Sequence, residues 1–321
     1  MKRETGNPKR SWECRYIRHV LHSLMSRALS ACLLSSALCA LPYSAAADDS
    51  KPLPEPRAFL EEVRQNLRSD RLLVEQYTFT EKFTERRLDS HGAVKKLRNE
   101  TFEVYPSAEP GQMYRRLVAR DGRPLSEAEL LEQDRKQEAR AEKKERRLAE
   151  EDAAARQKRL AKEDEERRQE KMVIDELFRM DDISVAGREL IGGRPTILVT
   201  FAPRLGYQPA TEGGKVLRKL AGRAWIDEQD RQLVRIEARL LDSLGVGPGR
   251  VARLQKGATA YFQRRKVNGE IWLPAEARFT GSAKLLLLFG ARVDIFSEYG
   301  DYKKFSVGTE TTISPEKTSS N

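Results

Sequence analysis

Residues 258–280 read Ala-Thr-Ala-Tyr-Phe-Gln-Arg-Arg-Lys-Val-Asn-Gly-Glu-Ile-Trp-Leu-Pro-Ala-Glu-Ala-Arg-Phe-Thr. Two alternating stretches flank Asn268-Gly269, a dipeptide that tolerates the positive φ angles of a two-residue hairpin turn. Pairing Val267 with Glu270 sets Lys266 opposite Ile271, Arg264 opposite Leu273 and Phe262 opposite Ala275. It continues with Ala260 opposite Ala277 and Ala258 opposite Phe279. One face then holds Ala258, Ala260, Phe262, Ile271, Leu273, Ala275, Ala277 and Phe279. The other holds Thr259, Gln263, Arg265, Glu270, Glu276 and Arg278, with Tyr261 and Trp272 as its aromatics. A hairpin apolar on one side only belongs to an antiparallel sheet covered on that side. Rings mixed with four alanines suit either a closely seated helix or a cavity with volume for acyl chains.

The same period of two extends in both directions. Downstream, residues 284–289 and 292–306 read as strands, and Leu285-Leu286-Leu287-Leu288-Phe289 is apolar on both faces. Such a run must be covered twice or touch a greasy ligand. Upstream, residues 251–267 read as one strand. Residues 224–227 and 232–241 flank Glu228-Gln229-Asp230-Arg231, and residues 183–190 and 196–201 flank Gly192-Gly193. A helical turn or two is expected at 215–220.

Between these hairpins and an earlier group of strands lies a different kind of sequence. From Ser126 to about Lys171 the chain is nearly all Glu, Asp, Lys, Arg, Gln and Ala, without Gly or Pro. Ser126 with Glu129 forms a capping box, and acid-before-base pairs four apart recur, among them Glu132–Lys136 and Glu163–Arg167. Leu130, Leu131, Leu148 and Leu160 make no heptad seam, so a solvated helix or helical hairpin is expected rather than a coiled coil. Apolar residues return at Met172, Val173, Ile174, Leu177 and Phe178, where the helix docks on the body. Before the insertion, Phe59, Leu60, Val63 and Leu67 recur at helical spacing. Three strands follow, marked by Tyr77, Phe79 and Phe83, by Phe102 and Val104, and by residues 113–119.

The leader limits the chemistry. From Met25 a short basic start, an apolar run from Ala28 to Leu41 and a small-residue end before Asp48-Asp49 form a secretory signal peptide cleaved after Ala47. The basic, irregular residues 1–24 read as a gene-model extension. Leu29-Ser30-Ala31-Cys32 has the outline of a lipoprotein cleavage box, but no apolar core precedes it, so a lipid-anchored form is not expected. Cys14, Cys32 and Cys39 all lie in this leader, and of three histidines only His91 follows it. The mature chain therefore offers no disulfide, thiolate, zinc cluster or Ser-His-Asp arrangement, and no cofactor or P-loop signature. Carboxylate-only catalysis stays open, because acids are abundant and the sequence does not say which converge. Half of the formal net charge of +10 falls in the leader, with seven Lys/Arg against two acids. The remainder is dispersed, which fits solubility and argues against a nucleic-acid partner.

The order of helix, three strands, helical insertion and long meander resembles the LolA/LolB-type lipoprotein carriers. So do the strings Gly222-Arg223-Ala224-Trp225-Ile226-Asp227, Leu233-Val234-Arg235-Ile236-Glu237-Ala238, Gly269-Glu270-Ile271-Trp272-Leu273-Pro274 and Tyr299-Gly300-Asp301-Tyr302-Lys303-Lys304-Phe305. The charged insertion departs from that family, whose lid helices are shorter. The resemblance implies a mainly β fold with α: a strongly curved antiparallel sheet, an incomplete β-barrel, with helices on the concave side. The expected organisation is signal peptide 1–47, linker 48–56, a single half-barrel domain 57–307 with the charged insertion 126–178, and a disordered tail 308–321. The implied function is a periplasmic carrier that binds a lipid or lipoprotein acyl chain. Phe262, Leu273, Phe279, Leu286 and Leu288 are the candidate cavity liners. The alternative is an RseB-like envelope sensor or scaffold whose charged helix meets an inner- or outer-membrane protein partner.

Overall fold

A computed structural model describes residues 51–66, 76–89, 91–106, 113–246, 252–285 and 289–304. The leader, the C-terminal tail, Leu286 and Leu288 lie outside the described residues, as do the expectations placed on them.

Helix α1 (Pro56–Asn66) opens on proline, whose missing N–H costs nothing in a first turn. The Glu55 carboxylate accepts the N–H groups of Arg57 and Ala58 at 3.0 and 2.7 Å. Phe59 and Val63, one turn apart, are buried. Strands β1 (Tyr77–Leu88), β2 (Val94–Pro106) and β3 (Met113–Arg120) form a meander, with β4 (Arg123–Pro124) a two-residue stub on β3. Helix α2 (Glu127–Ala149) starts at the expected capping box: Ser126 accepts from Glu129 N–H, and Glu129 reaches back to Ser126. The insertion is not one continuous helix. It breaks at Glu150, and Asp152 starts α3 (Ala153–Met180) by accepting Ala155 N–H at 2.7 Å. The two helices do not pack along each other among the described residues.

Nine strands follow among the described residues: β5 (Asp181–Ile191), β6 (Arg194–Pro203), β7 (Leu220–Asp227), β8 (Leu233–Leu240), β9 (Leu244–Val246), β10 (Ala252–Leu254), β11 (Thr259–Val267), β12 (Ile271–Leu285) and β13 (Phe289–Lys304). A short helix α4 (Glu212–Leu217) separates β6 from β7. The single strand expected over 251–267 is broken at Gly257, whose φ of +85° turns the chain between β10 and β11. The strand expected at 284–289 is instead divided between the end of β12 and the start of β13.

All strands join one antiparallel sheet in the order β4-β3-β2-β1-β13-β12-β11-β8-β7-β6-β5, with β10 pairing β12 and β9. It is open, not closed into a barrel. The N-terminal meander is attached through β1 to the last strand, β13, so β3/β4 and β5 become the two edges. Helices α2 and α3 carry the chain from one edge to the other.

The register of the β11–β12 hairpin corrects the expected one. Glu270 N–H does return to Val267 C=O at 3.1 Å. The first ladder pair, however, is Val267 with Ile271, followed by Lys266 with Trp272 and Arg265 with Leu273. A bulge at Ala275 then shifts the register again, so Phe262 pairs with Ala277 and Ala260 with Phe279. Two successive shifts leave Phe262, Ala260, Ala277 and Phe279 on one face as expected. They move Leu273 and Ile271 to the side of Arg265 and Val267, and Trp272 to the side of Lys266.

Candidate ligand-binding face

The inner face of the sheet is the one on which α1 lies. There Ile197, Val199 and Phe201 of β6, Ala224 and Ile226 of β7, and Ile236 and Ala238 of β8 pack with Phe59 and Val63. Leu60, Phe178 at the end of α3, Ala260 and Phe262 close around them. The alanines Ala224, Ala238 and Ala260 thus sit where a helix seats on the sheet. A second cluster continues across the same face: Leu240, Ala258, Phe279, Val293 and Ile295, flanked by Phe83, Leu244 and Leu254. Leu220 and Ala260 belong to both clusters, so the apolar surface is continuous from β6 to β13. Helix α1 contributes side chains only to the first.

Beyond β13 the inner face becomes charged. Glu81, Glu85 and Glu100 are buried at 5, 9 and 3 % exposure. The register puts Glu85 beside Ile295, and Glu100 beside Phe83. Each carboxylate is engaged: Glu81 by Arg115 at 2.7 Å and Ser297 Oγ at 3.0 Å, Glu85 by Arg87 at 2.8 Å, and Glu100 by Arg98 at 2.6 Å. Arg115 also lies 4.0 Å over the Phe102 ring. Paired ions tolerate burial that lone ones do not. The expected liners gave no hint of this patch. Its signal was Glu81 and Glu85, which share the inward parity of Phe79 and Phe83.

One end of the sheet is closed by charge. Asp227, fully buried, takes both Arg194 nitrogens at 2.7 and 2.9 Å and caps its own turn through the N–H groups of Gln229 and Asp230. Asp230 accepts Trp272 Nε1 at 2.8 Å and Lys266 Nζ at 2.7 Å. Burial alone would raise the Asp230 carboxyl, but these two donors with the Arg194 charge outweigh it and hold it below its ordinary value. Arg188 and Lys51 likewise overcome burial at Glu228 and lower it. A separate buckle holds α3 down: the buried Glu176 carboxylate accepts Ala210 N–H, Thr211 N–H and Thr211 Oγ1. A Cβ on Gly214 would lie 2.1 Å from Glu176 Oε2, so glycine is what lets the buckle close.

Of the expected liners, Phe262 packs against the first cluster and Phe279 lies within the second. Leu273, fully buried, belongs to a third cluster with Tyr77 and Ile271, flanked by Val267 and Tyr302. Among the described residues no group of His, Cys, Asp and Glu is arranged to hold a metal, and no helix is long and apolar enough to cross a membrane.

No family model matches the chain, and no curated protein matches it in sequence. Among solved structures it is similar to a DUF1329 family protein from Desulfovibrio piger, with 10% identity over 78% of this chain and 93% of that one, at a TM-score of 0.30. It is also similar to a LolA superfamily protein from Nitrosomonas europaea, with 9% identity over 78% and 94% and a TM-score of 0.25. A third similarity is to the MucA/MucB complex structure of Pseudomonas aeruginosa, with 11% identity over 78% and 98% and a TM-score of 0.21.

Proposed function

We propose that the exported chain binds the acyl chain of a lipid or acylated protein against the inner face of its sheet. The supporting observation is that the apolar surface runs on past α1, from the Phe59 cluster through Leu220 and Ala260 to Phe279 and Ile295. Helix α1 and Phe178 act as a plug that a ligand displaces or slides beneath. Phe262 and Phe279 remain the liners that the apolar clusters favour. The neighbouring Glu85–Arg87 and Glu100–Arg98 pairs suit a polar head group, with arginines able to trade a carboxylate partner for a phosphate or ester oxygen. Apolar burial at roughly 25 cal/mol per Å² supplies the driving force.

A fluorescent fatty-acid probe titrated into purified protein tests this. Saturable binding at one site is expected. Phe279→Ser, which removes a ring from the second cluster, should weaken it by about tenfold while far-UV circular dichroism stays native. Unsaturable uptake by the wild type, or a variant that binds equally well, overturns the reading.

The scaffold reading is favoured by one observation: α2 buries no residue, and Leu131 and Leu148 are exposed on it. Leu131→Glu with Leu148→Glu, on the exposed surface of α2, separates the two. A carrier keeps its probe, whereas a scaffold loses its membrane-protein partner in a pull-down.

A further inference from the structure

Opposite the charged rim, the sheet ends in the β1–β2 hairpin, with β13 alongside: Leu88 pairs with Val94 on one side and with Arg292 on the other. Val94 and Leu97 are large aliphatics left 54 and 51 % exposed there. Around them Arg86, Lys95, Lys96 and Arg292 are also exposed. Residues 86–98 contain five Lys/Arg and one acid, Asp89. That carboxylate is spent inside the turn, accepting His91 N–H and Ala93 N–H at 2.9 Å each. Asp294 offsets Arg86 at 3.2 Å and Glu85 holds Arg87 at 2.8 Å, while Lys95 and Lys96 stand exposed beside Val94 and Leu97.

We propose that this end of the sheet docks on an anionic lipid surface. Two aliphatics ringed by long cationic side chains can dip below the head groups while the ammonium and guanidinium groups remain at phosphate level. The charge complementarity is with a lipid phosphate layer, and the tip of a hairpin gives a planar partner more contact than it gives a groove-seeking peptide. The second apolar cluster reaches the same end of the sheet, where Val293 pairs with Arg87. Docking would therefore present the inner face to the bilayer. This deepens the acyl-binding reading and takes its purpose from it, yet it rests on surface residues that the ligand does not need.

Vesicle co-sedimentation measures docking without any acyl transfer, so failure of one reading is not failure of the other. Purified protein is mixed with phosphatidylcholine vesicles, with or without about one-third phosphatidylglycerol. Binding to the anionic vesicles should exceed that to neutral ones by about tenfold or more, and should weaken as salt rises. Lys95→Glu with Lys96→Glu should cost about tenfold on anionic vesicles, and Leu97→Ser should weaken binding while keeping its salt dependence. The exposed α2 pair Lys143→Glu with Arg147→Glu, which reverses the same charge elsewhere, should change little. Equal binding to both vesicles, wild-type binding by the hairpin double variant, or an equal loss from the α2 variant overturns the proposal.

Discussion

A Cβ on Gly222 would stand 1.9 Å from the Glu237 carbonyl oxygen and 2.5 Å from the Ala238 Cα, both of them backbone that cannot rotate away. Gly222 pairs with Phe201 on one side and Ala238 on the other, so any shift propagates into β6 and β8. Gly222→Ala should therefore destabilise the protein by about 3 kcal/mol, read as a lowered denaturant midpoint. A midpoint within error of wild type would show that β7 and β8 can part without cost. The rim carboxylates carry a pH signature. Asp230 and Glu228 are both lowered in the folded protein, from ordinary values of 3.8 and 4.5. A lowered carboxyl stabilises the fold above its unfolded-state value, and that stability is lost as pH falls through the folded one. Thermal stability should be held near neutrality and drop below about pH 4. Asp230→Asn should lower the melting temperature at pH 7 and flatten its fall toward pH 3. A parallel fall in the variant would place the acid sensitivity elsewhere.

At the scale of elements, the long edge strand β3 is managed by a helix. The Gln133 side-chain amide accepts Leu117 N–H at 3.1 Å and donates to Leu117 C=O at 3.0 Å, standing in for a neighbouring strand. Arg116 adds both nitrogens to Asp134 of the same helix at 2.9 and 2.7 Å. Gln133→Ala should cost only about 1 kcal/mol and should raise self-association, measured by light scattering at elevated concentration. Unchanged scattering would mean that the edge is guarded by other contacts. The elements themselves were legible where one period dominated. Phe59 and Val63 announced α1, Ser126 and Glu129 announced α2, and Gly192-Gly193 gave a true two-residue turn with φ of +57° and +76°. Register was not legible. Neither the one-residue slip at the turn nor the Ala275 bulge leaves a mark in the alternation of residues 271–279, so pairs extrapolated from the turn drifted by two positions by the time Phe262 was reached. Missing the slip at the turn alone put Leu273 opposite Arg264, whereas it pairs with Arg265 and lies on the other face. The charged half of the inner face was hidden for another reason. A glutamate on a strand looks solvated until arginines of other strands are brought to it, here Arg98 to Glu85 and Arg115 to Glu81.

The whole molecule is an open sheet whose inner face changes character along its width. It is apolar and helix-covered over β6–β8, apolar over β11–β13, and ion-paired over β1–β3. The pairing of β1 with β13 puts the aliphatic and ionic parts side by side, although Phe83 and Phe279 are far apart in sequence. An amphiphile is the ligand class whose own two ends match that division. Helix α1 covers the aliphatic part incompletely and is joined to α3 by the Arg64–Asp175 pair at 2.9 Å. Movement of α1, as the proposal requires, would strain the charged strap that crosses between the sheet edges. Phe59→Ala should loosen the plug, costing about 3–5 kcal/mol of stability while speeding probe entry in stopped-flow mixing. Slower or unchanged entry would argue that ligands do not pass beneath α1. The most direct measurement is mass spectrometry of the organic extract from purified protein. One amphiphile with an acyl chain per protein molecule is expected, depleted in the extract of Phe279→Ser. An extract holding no stoichiometric amphiphile from correctly folded wild type would contradict it.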